Sequence, residues 1–282
     1  MTADPLLVSS RNVGRGSPIR TRVVADAAAM SRVFADDMVE AFALAKSAGR
    51  DKVVFIVPVG PVGQFELFAE RVNAERLSLR DLVVVNMDEY LTADGRDFIA
   101  PTDPLSFVGH MQRALWSRLD PALAPPPEQR HFPHPRDPAA TTRLIDSLGG
   151  VDVTWGGVGI TGHLAFNEPP EPDEADDVEA FAQASTRVLR LSRETLTINA
   201  VTATRGNIDC IPRLAITVGM REILASRRIR IFMNRPWQCA IARKLLHGPV
   251  TARCPASLLQ RHGDVLVTMT EEVVAMPEAT LR

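Results

Sequence analysis

The chain has 282 residues, of which 45% are hydrophobic and 23% charged, values typical of a globular protein. Lys and Arg total 32 against 34 for Asp and Glu, and the resulting net charge of -2 supplies no broad positive field for nucleic acid or an anionic membrane. The composition argues against a disordered, collagen-like or membrane-spanning chain and against polyanion binding.

Helical and extended patterns alternate along the chain. Asp26 is the predicted N-cap of a first helix, whose apolar stripe includes Met30, Phe34 and Met38, and Gly49 is its predicted end. Further helical patterns lie at 64–77, 105–119 and 237–248. Short apolar runs typical of strands buried on both faces lie at 53–60, 82–87, 151–159, 214–220, 228–233 and 264–269.

Strands that alternate with helices predict crossover connections between neighbouring parallel strands. The sequence therefore predicts an α/β fold with a doubly wound, mainly parallel, Rossmann-like sheet flanked by helices, in a single domain over residues 1–282. The proline-rich segment 121–138 is a predicted loop. Segment 171–179 carries six acids and no base, which fits a solvated loop or helix start, or an acidic part of a lid at about 169–200.

The cysteines and the N-terminal residues indicate the cellular compartment of the protein. Cys210, Cys239 and Cys254 are scattered and form no C-x-x-C pair, so we expect reduced thiols. The N-terminal stretch lacks the apolar segment of a signal peptide, and no apolar run approaches the ~18 residues that span a bilayer. We expect a cytoplasmic protein.

Two acids follow the second apolar run, in the segment NMDEYL at 86–91. Ligands of an open α/β sheet bind beyond the carboxyl ends of its strands, which is where Asp88 and Glu89 are predicted to lie. Such residues are also common at strand ends and helix caps. At the functional end of a sheet, a partly desolvated carboxylate can remove a proton from a carbon next to a carbonyl, so general-base catalysis is plausible here.

The segment GITGHLAFNEP, at 159–169, follows the third run. Gly162 allows close approach of the backbone to a ligand, His163 follows it, and Glu168 is near enough in sequence to return to the same pocket. A lone histidine is more often structural, but the glycines, the strand end and the nearby acid favour function. With no nucleotide-binding glycine motif and no second histidine at metal-ligand spacing, we expect no cofactor and no metal.

Four segments in a fixed order resemble the glucosamine-6-phosphate deaminase/isomerase family: VVNMDEYL, GGVGITGHLAFNEP, LAITVGMREIL and GPVTARCPASLLQRH. The resemblance extends over roughly residues 25–270. It implies that His163 assists opening of a sugar ring, that Glu168 supports His163, and that Asp88 moves a proton between C2 and C1. The implied activity is an aldose–ketose isomerase/deaminase of an amino sugar or a related sugar, phosphorylated or not.

Motif and resemblance together also suggest substrate-binding residues, which are Gly60, Gly63, Glu89, Thr161, Gly162, Asn167, Arg205, Arg235 and Gln238. Some positions depart from the family pattern. Thr161 stands where an aspartate is usual, and a hydroxyl can orient the imidazole without adding charge. Pro61 removes an amide donor, Val62 supplies no hydroxyl, and Gln238 lies near the position of a phosphate-binding lysine. We therefore predict that the preferred substrate is not an ordinary hexosamine 6-phosphate.

Two alternatives stay open at this point. One is a sugar lactonase on the same fold, in which His163 would activate water. The other is a non-catalytic relative that binds a sugar, although the presence of Asp88, His163 and Glu168 together argues against it. The expected partner is a small-molecule sugar, with neither nucleic acid nor membrane, and assembly into a homo-oligomer is left open.

Overall fold

The computed structural model describes residues 4–279, so the first three and last three residues of the predicted domain lie outside the described residues. The strands are β1 (Arg20–Val24), β2 (Val53–Val57), β3 (Leu82–Asn86), β4 (Asp88–Tyr90), β5 (Arg130–His131), β6 (Val153–Gly156), β7 (Arg187–Arg190), β8 (Leu214–Thr217), β9 (Ile229–Met233) and β10 (Val265–Thr270). The helices are α1 (Ala27–Ser47), α2 (Gln64–Glu75), α3 (Phe107–Met111), α4 (Ala139–Ser147), α5 (Val178–Ala182), α6 (Arg193–Ala203), α7 (Met220–Leu224), α8 (Cys239–His247) and α9 (Glu271–Val274).

Seven strands form one parallel sheet in the order β1-β10-β9-β6-β2-β3-β5. The predicted α/β architecture is therefore confirmed. A second, antiparallel sheet has the order β4-β8-β7. The apolar run at 214–220 does form a strand, β8, but that strand belongs to the small sheet and not to the parallel one.

The parallel sheet separates two apolar cores. In β2 the side chains of Val53, Phe55 and Val57 pack into one core, while Val54 and Ile56 pack into the other. This alternation follows from the two-residue period of a strand, and burial of each such side chain stabilises the fold by roughly 1.5–3 kcal/mol. A strand with apolar residues at every position is therefore buried on both faces, as its sequence predicts.

Helix α1 begins and packs as its sequence predicts. The Asp26 carboxylate accepts a hydrogen bond from the Ala29 amide at 2.7 Å, which caps the helix. The predicted stripe of Met30, Phe34 and Met38 is buried against the sheet. Between residues 4 and 279 no helix is both long and apolar enough to cross a membrane.

Strands β1 and β7 and helix α6 are among the elements that were not predicted, and the pattern of their side chains explains why. Strand β1 and strand β7 are partly exposed, and arginines interrupt their apolar residues. Helix α6 has only a weak apolar stripe, with Thr195, Leu196 and Ala200 buried. The proline-rich segment 121–138 is mostly loop, as predicted, with the two-residue edge strand β5 inside it.

The order of the strands places a cleft between β2 and β6. From β2 the chain continues to β3 on one side, and it later returns to form β6 on the other side. Connections that leave neighbouring strands in opposite directions open a crevice at their carboxyl ends. The segments after β2 and β6 therefore face each other across this crevice.

Candidate active site

A cleft of about 460 Å³ lies at the carboxyl ends of the parallel strands. Its walls include residues 58–62 after β2, residues 157–159 after β6, and Asn234 and Arg235 after β9. Strand β4 and helices α3 and α6 complete the walls. Asp88 and His163 both line this cleft, so the structure brings together two groups predicted from separate motifs.

Asp88 reaches the cleft because the chain crosses the end of β2. The Met87 amide donates to the Val57 carbonyl at 2.9 Å, and the Val218 amide donates to the Met87 carbonyl at 2.7 Å. Asp88 is only 7% exposed. Burial, with the negative charge of Glu89, raises the pKa of Asp88 to about 8. A carboxyl group with such a pKa is a stronger base than an ordinary aspartate.

The side chain of Glu89 is fully buried. Its carboxylate accepts hydrogen bonds from the amides of Tyr90, Phe107 and Val108 at 2.7–3.0 Å and from the Ser106 hydroxyl at 3.0 Å. Burial raises the pKa of Glu89, although these hydrogen bonds oppose the shift. Glu89 therefore fixes β4 against the start of α3, and it is not among the residues that line the cleft.

The imidazole of His163 is held through its Nδ1 atom. Nδ1 lies 2.9 Å from Thr161 Oγ1, 3.1 Å from Glu168 Oε2 and 3.4 Å from Thr195 Oγ1. The Thr161 hydroxyl donates to the same Glu168 oxygen at 3.1 Å, so its own oxygen can accept from Nδ1. This network assigns the proton of the neutral ring to Nδ1 and leaves Nε2 with a lone pair that can accept a proton.

Glu168 is an anion because of its hydrogen bonds. Burial alone would raise its pKa, but the hydrogen bond and charge of His163 and the hydrogen bonds from Thr195 and the Ser192 amide lower it to about 2. The amide of Ser192 lies 3.3 Å from the second carboxylate oxygen. Glu168 therefore stays ionised at neutral pH and stabilises a positive charge on the imidazole.

Two glycines make room for this histidine. A Cβ atom at Gly159 would collide with the imidazole of His163. Gly162 has a φ of +86°, and a Cβ atom there would lie 2.8 Å from Cys254 Sγ. The backbone also closes tightly, with the Gly159 amide donating to the His163 carbonyl at 3.0 Å. Gly159 is therefore required by the packing of the imidazole ring, and Gly162 by the packing of the loop that carries it.

Three of the predicted substrate-binding residues, Gly60, Arg235 and Gln238, line the cleft. The Gln238 amide is already occupied by backbone groups: Nε2 donates to the Val158 carbonyl at 2.7 Å, and Oε1 accepts from the Arg235 amide at 2.9 Å. Gln238 therefore connects the segments after β6 and β9. The side chain of Arg235 is exposed.

The other predicted residues are not among those that line the cleft in the described part of the chain. Thr161 and Gly162 belong to the loop around His163, and Gly63 precedes α2 as its N-cap. Asn167 is fully buried and accepts a hydrogen bond from Arg187 at 2.8 Å. Arg205 is exposed in the turn after α6, and it is not among the lining residues.

Helix α6 supplies residues that the sequence analysis missed. Thr195 contacts His163, and Asn199 and Thr202 line the cleft. Their spacing of four and then three residues places them on one face of a helix. Ser192, which accepts a hydrogen bond from the Thr195 amide at 3.1 Å, caps this helix. A serine N-cap followed by polar residues at helical spacing is the signal that could have located them.

The acidic segment 171–179 does not line the cleft in the described part of the chain. Asp176 accepts hydrogen bonds from the Thr251 hydroxyl at 2.5 Å and the Ala252 amide at 2.7 Å. Asp177 caps α5 through the Ala180 amide. These acids fix the segment to the loop at 251–253 and start a helix, while the predicted lid over 169–200 stays a prediction.

Comparison with known sequences identifies relatives. No protein-family model matches the chain. Glucosamine-6-phosphate deaminase of Lachnoclostridium phytofermentans is 32% identical over 213 residues, which is 73% of this chain and 81% of that protein. Glucosamine-6-phosphate deaminase of Bacillus velezensis is 31% identical over 219 residues, covering 75% of this chain and 82% of the relative.

Comparison with solved structures leads to the same family of proteins. A monomeric glucosamine-6-phosphate deaminase superposes with a TM-score of 0.73 at 27% identity, over 90% of this chain and 98% of that one. A 6-phosphogluconolactonase from Thermotoga maritima gives a TM-score of 0.61 at 15% identity, over 89% of this chain and 98% of the other, a likeness of fold alone. Because the identity exceeds 30% over most of both chains, this protein belongs to the glucosamine-6-phosphate deaminase family, as its motifs indicate.

Proposed function

We propose that this enzyme is an aldose–ketose isomerase/deaminase that acts on an amino sugar by moving a proton between C2 and C1. The observation that carries the proposal is the pairing, in one cleft, of a buried carboxyl group with an imidazole held by a carboxylate. These groups are Asp88 and His163, with Glu168 behind the histidine. Two acid/base centres are what ring opening followed by enolisation requires.

In the first step His163 opens the sugar ring. Its Nε2 atom accepts the proton of the hydroxyl group on C1 and returns a proton to the ring oxygen as the bond from C1 to that oxygen breaks. The product is the open-chain aldose, and the imidazole ends the step neutral. Glu168 and Thr161 keep the ring oriented and stabilise its transient positive charge.

In the second step Asp88 transfers the proton. Its carboxylate removes the proton from C2 while the C1 oxygen takes up a proton from water, which gives an enol with the amino group still on C2, and Asp88 then delivers its proton to C1. The resulting imine at C2 is hydrolysed by one water, which adds to C2 as ammonia leaves. The oxidation of C2 is balanced by the reduction of C1, so the sequence needs no external oxidant or reductant.

Exchange of hydrogen at C2 tests this proposal. In deuterium oxide, the wild-type enzyme should incorporate deuterium at C2 or C1 of its substrate, which proton NMR detects. It should also release ammonia. Asp88→Asn should lose at least ~10²-fold in turnover, the low end for one general base. The matched control is Asp81→Asn, an aspartate in surface ion pairs with Lys46 and Lys52. Near-normal exchange by the Asp88 variant would contradict the assignment.

We also propose that one chain is catalytically complete. Asp88, His163 and Glu168 all come from the same chain, and a solved relative is monomeric. Assembly into a homo-oligomer stays a prediction that sedimentation measurements can test. If the protein does form an oligomer, turnover per chain should stay constant when dilution dissociates that oligomer.

The cytoplasm is the compartment we propose for this activity. Cys210, Cys239 and Cys254 form no disulfide with one another. Free thiols of this kind persist in a reducing compartment. Fractionation of cells that express the tagged protein would test this placement.

A further inference from the structure

The walls of the cleft contain few positive charges. Among the residues that line it between positions 4 and 279, Arg235 is the one lysine or arginine. Its side chain is exposed, so water and salt screen its charge. A phosphate monoester carries about -1.5 to -2 charges at pH 7 and is usually held by several charged or amide donors. A single exposed arginine does not supply the charged donors of such a site.

Beside Arg235, Asn234 offers one neutral amide, and the neighbouring Gln238 adds no free donor. Gln238 is 4% exposed, and both ends of its amide are occupied by backbone groups. Across the cleft, Pro61 has no amide hydrogen, and Val62 presents an apolar side chain that is 57% exposed. Removing Gln238 from its backbone partners to bind a phosphate would leave the Val158 carbonyl unpaired.

Acidic groups dominate the catalytic end of the same cleft. Asp88 lines it, Glu89 lies directly behind Asp88, and the ionised Glu168 supports His163. The ionised form of Asp88, which acts as the base, attracts a cation and repels a second anion in this concave, poorly solvated site. The ammonium group of an amino sugar suits that charge, and a phosphate dianion does not.

From these observations we infer that the enzyme takes an unphosphorylated hexosamine, with an uncharged C6 end between Pro61 and Val62 on one side of the cleft and Gln238 on the other. The inference rests on the proposed function and narrows its substrate class. Asn234, which lines the cleft next to Arg235, offers a carboxamide that suits a sugar hydroxyl. The matched relatives are named for a 6-phosphate, so this chain would differ from them in specificity.

The first test compares each free hexosamine with its own 6-phosphate. Wild-type kcat/KM is measured for glucosamine, galactosamine and mannosamine and for their 6-phosphates, and binding to Asp88→Asn is measured by calorimetry. We expect the preferred free sugar to exceed its 6-phosphate at least ~10-fold in kcat/KM and to bind more tightly, since two missing charged contacts weaken binding by more than that factor. Preference for the 6-phosphate in either measurement would overturn the inference.

The same measurements separate this inference from the proposed function. Tighter binding of the free sugar without hydrogen exchange at C2 would overturn the proposed reaction and leave the specificity intact. Exchange with a preference for the 6-phosphate would overturn the specificity and leave the reaction intact. If none of the six sugars bound, both would be wrong.

A gain of charge provides the second test. Val62→Lys places a cation on the wall at a position whose side chain is already exposed, so folding should be retained. It should shift the ratio of kcat/KM values toward the 6-phosphate at least ~10-fold, the effect of one added charged contact. The matched control, Leu44→Lys, adds the same charge at an exposed position of α1 away from the cleft. Equal ratios in both variants would overturn the placement of the C6 end.

Discussion

Replacement of Asp88 by asparagine should stabilise the folded protein while it removes the proposed catalytic base. The carboxyl group is 7% exposed, and burial with the charge of Glu89 raises its pKa from 3.8 to about 8. A folded-state pKa above the unfolded one means that the folded protein holds this proton more tightly. The contribution of Asp88 to stability is therefore present at low pH and is lost as pH rises from about 4 to about 8.

The size of the effect follows from the pKa difference. Each pKa unit corresponds to 1.36 kcal/mol, so the shift from 3.8 to about 8 sets a ceiling of about 6 kcal/mol above pH 8. Water and nearby dipoles relax around a buried ion, and we therefore expect the variant to gain about 3 kcal/mol at pH 9. The gain should be much smaller near pH 4, where the carboxyl group is protonated in the folded state.

Urea unfolding at pH 5 and pH 9 measures this difference directly. Asp81→Asn is the control, because the hydrogen bonds and charges of Lys46 and Lys52 lower the pKa of this exposed aspartate, which should give no gain at high pH. A difference between wild type and the Asp88 variant that changes by less than ~1 kcal/mol between the two pH values would refute the desolvation of Asp88. Wild-type kcat/KM should also rise with pH toward about 8, as the base loses its proton.

Three further predictions concern the surroundings of the histidine. His163→Asn and Glu168→Gln should each cost about as much in kcat/KM as the double variant, and additive losses would contradict a coupled pair. Thr161→Val removes a hydroxyl bonded to both groups and should lower kcat/KM about 10-fold, whereas Thr161→Ser should restore most of it if hydrogen bonding is the cause. Gly159→Ala should displace the imidazole and lower kcat at least ~10²-fold with a smaller loss of stability, while Gly263→Ala, with open space around its Cα, should leave kcat within twofold.

The main strands and helices were predictable because their signals are local. Runs of apolar residues fix strands such as β2, and the N-cap at Asp26 with its apolar stripe fixes α1. Strands β1 and β7 were not predicted because arginines interrupt their apolar residues. The sequence could not assign β8 to the small antiparallel sheet, since an apolar run is compatible with either sheet.

The candidate site was partly predictable for the same reason. Asp88, His163 and Glu168 stand in compact motifs, and the spacing of the last two allows the contact that the structure shows. Thr195 lies 32 residues from His163, and only the packing of α6 brings its hydroxyl near Nδ1. No pattern in the sequence around either residue encodes that distance.

The sequence by itself determined the residue types available for chemistry, including the two motifs with their acids and histidine and the absence of a lysine at position 238. The tertiary structure alone decided their environment. Strand order brings the ends of β2, β6 and β9 together, burial shifts the pKa of Asp88, and backbone partners occupy the amide of Gln238. The physical reason is that proton affinity and ligand charge preference depend on desolvation and on neighbours far apart in the chain, which local sequence does not specify.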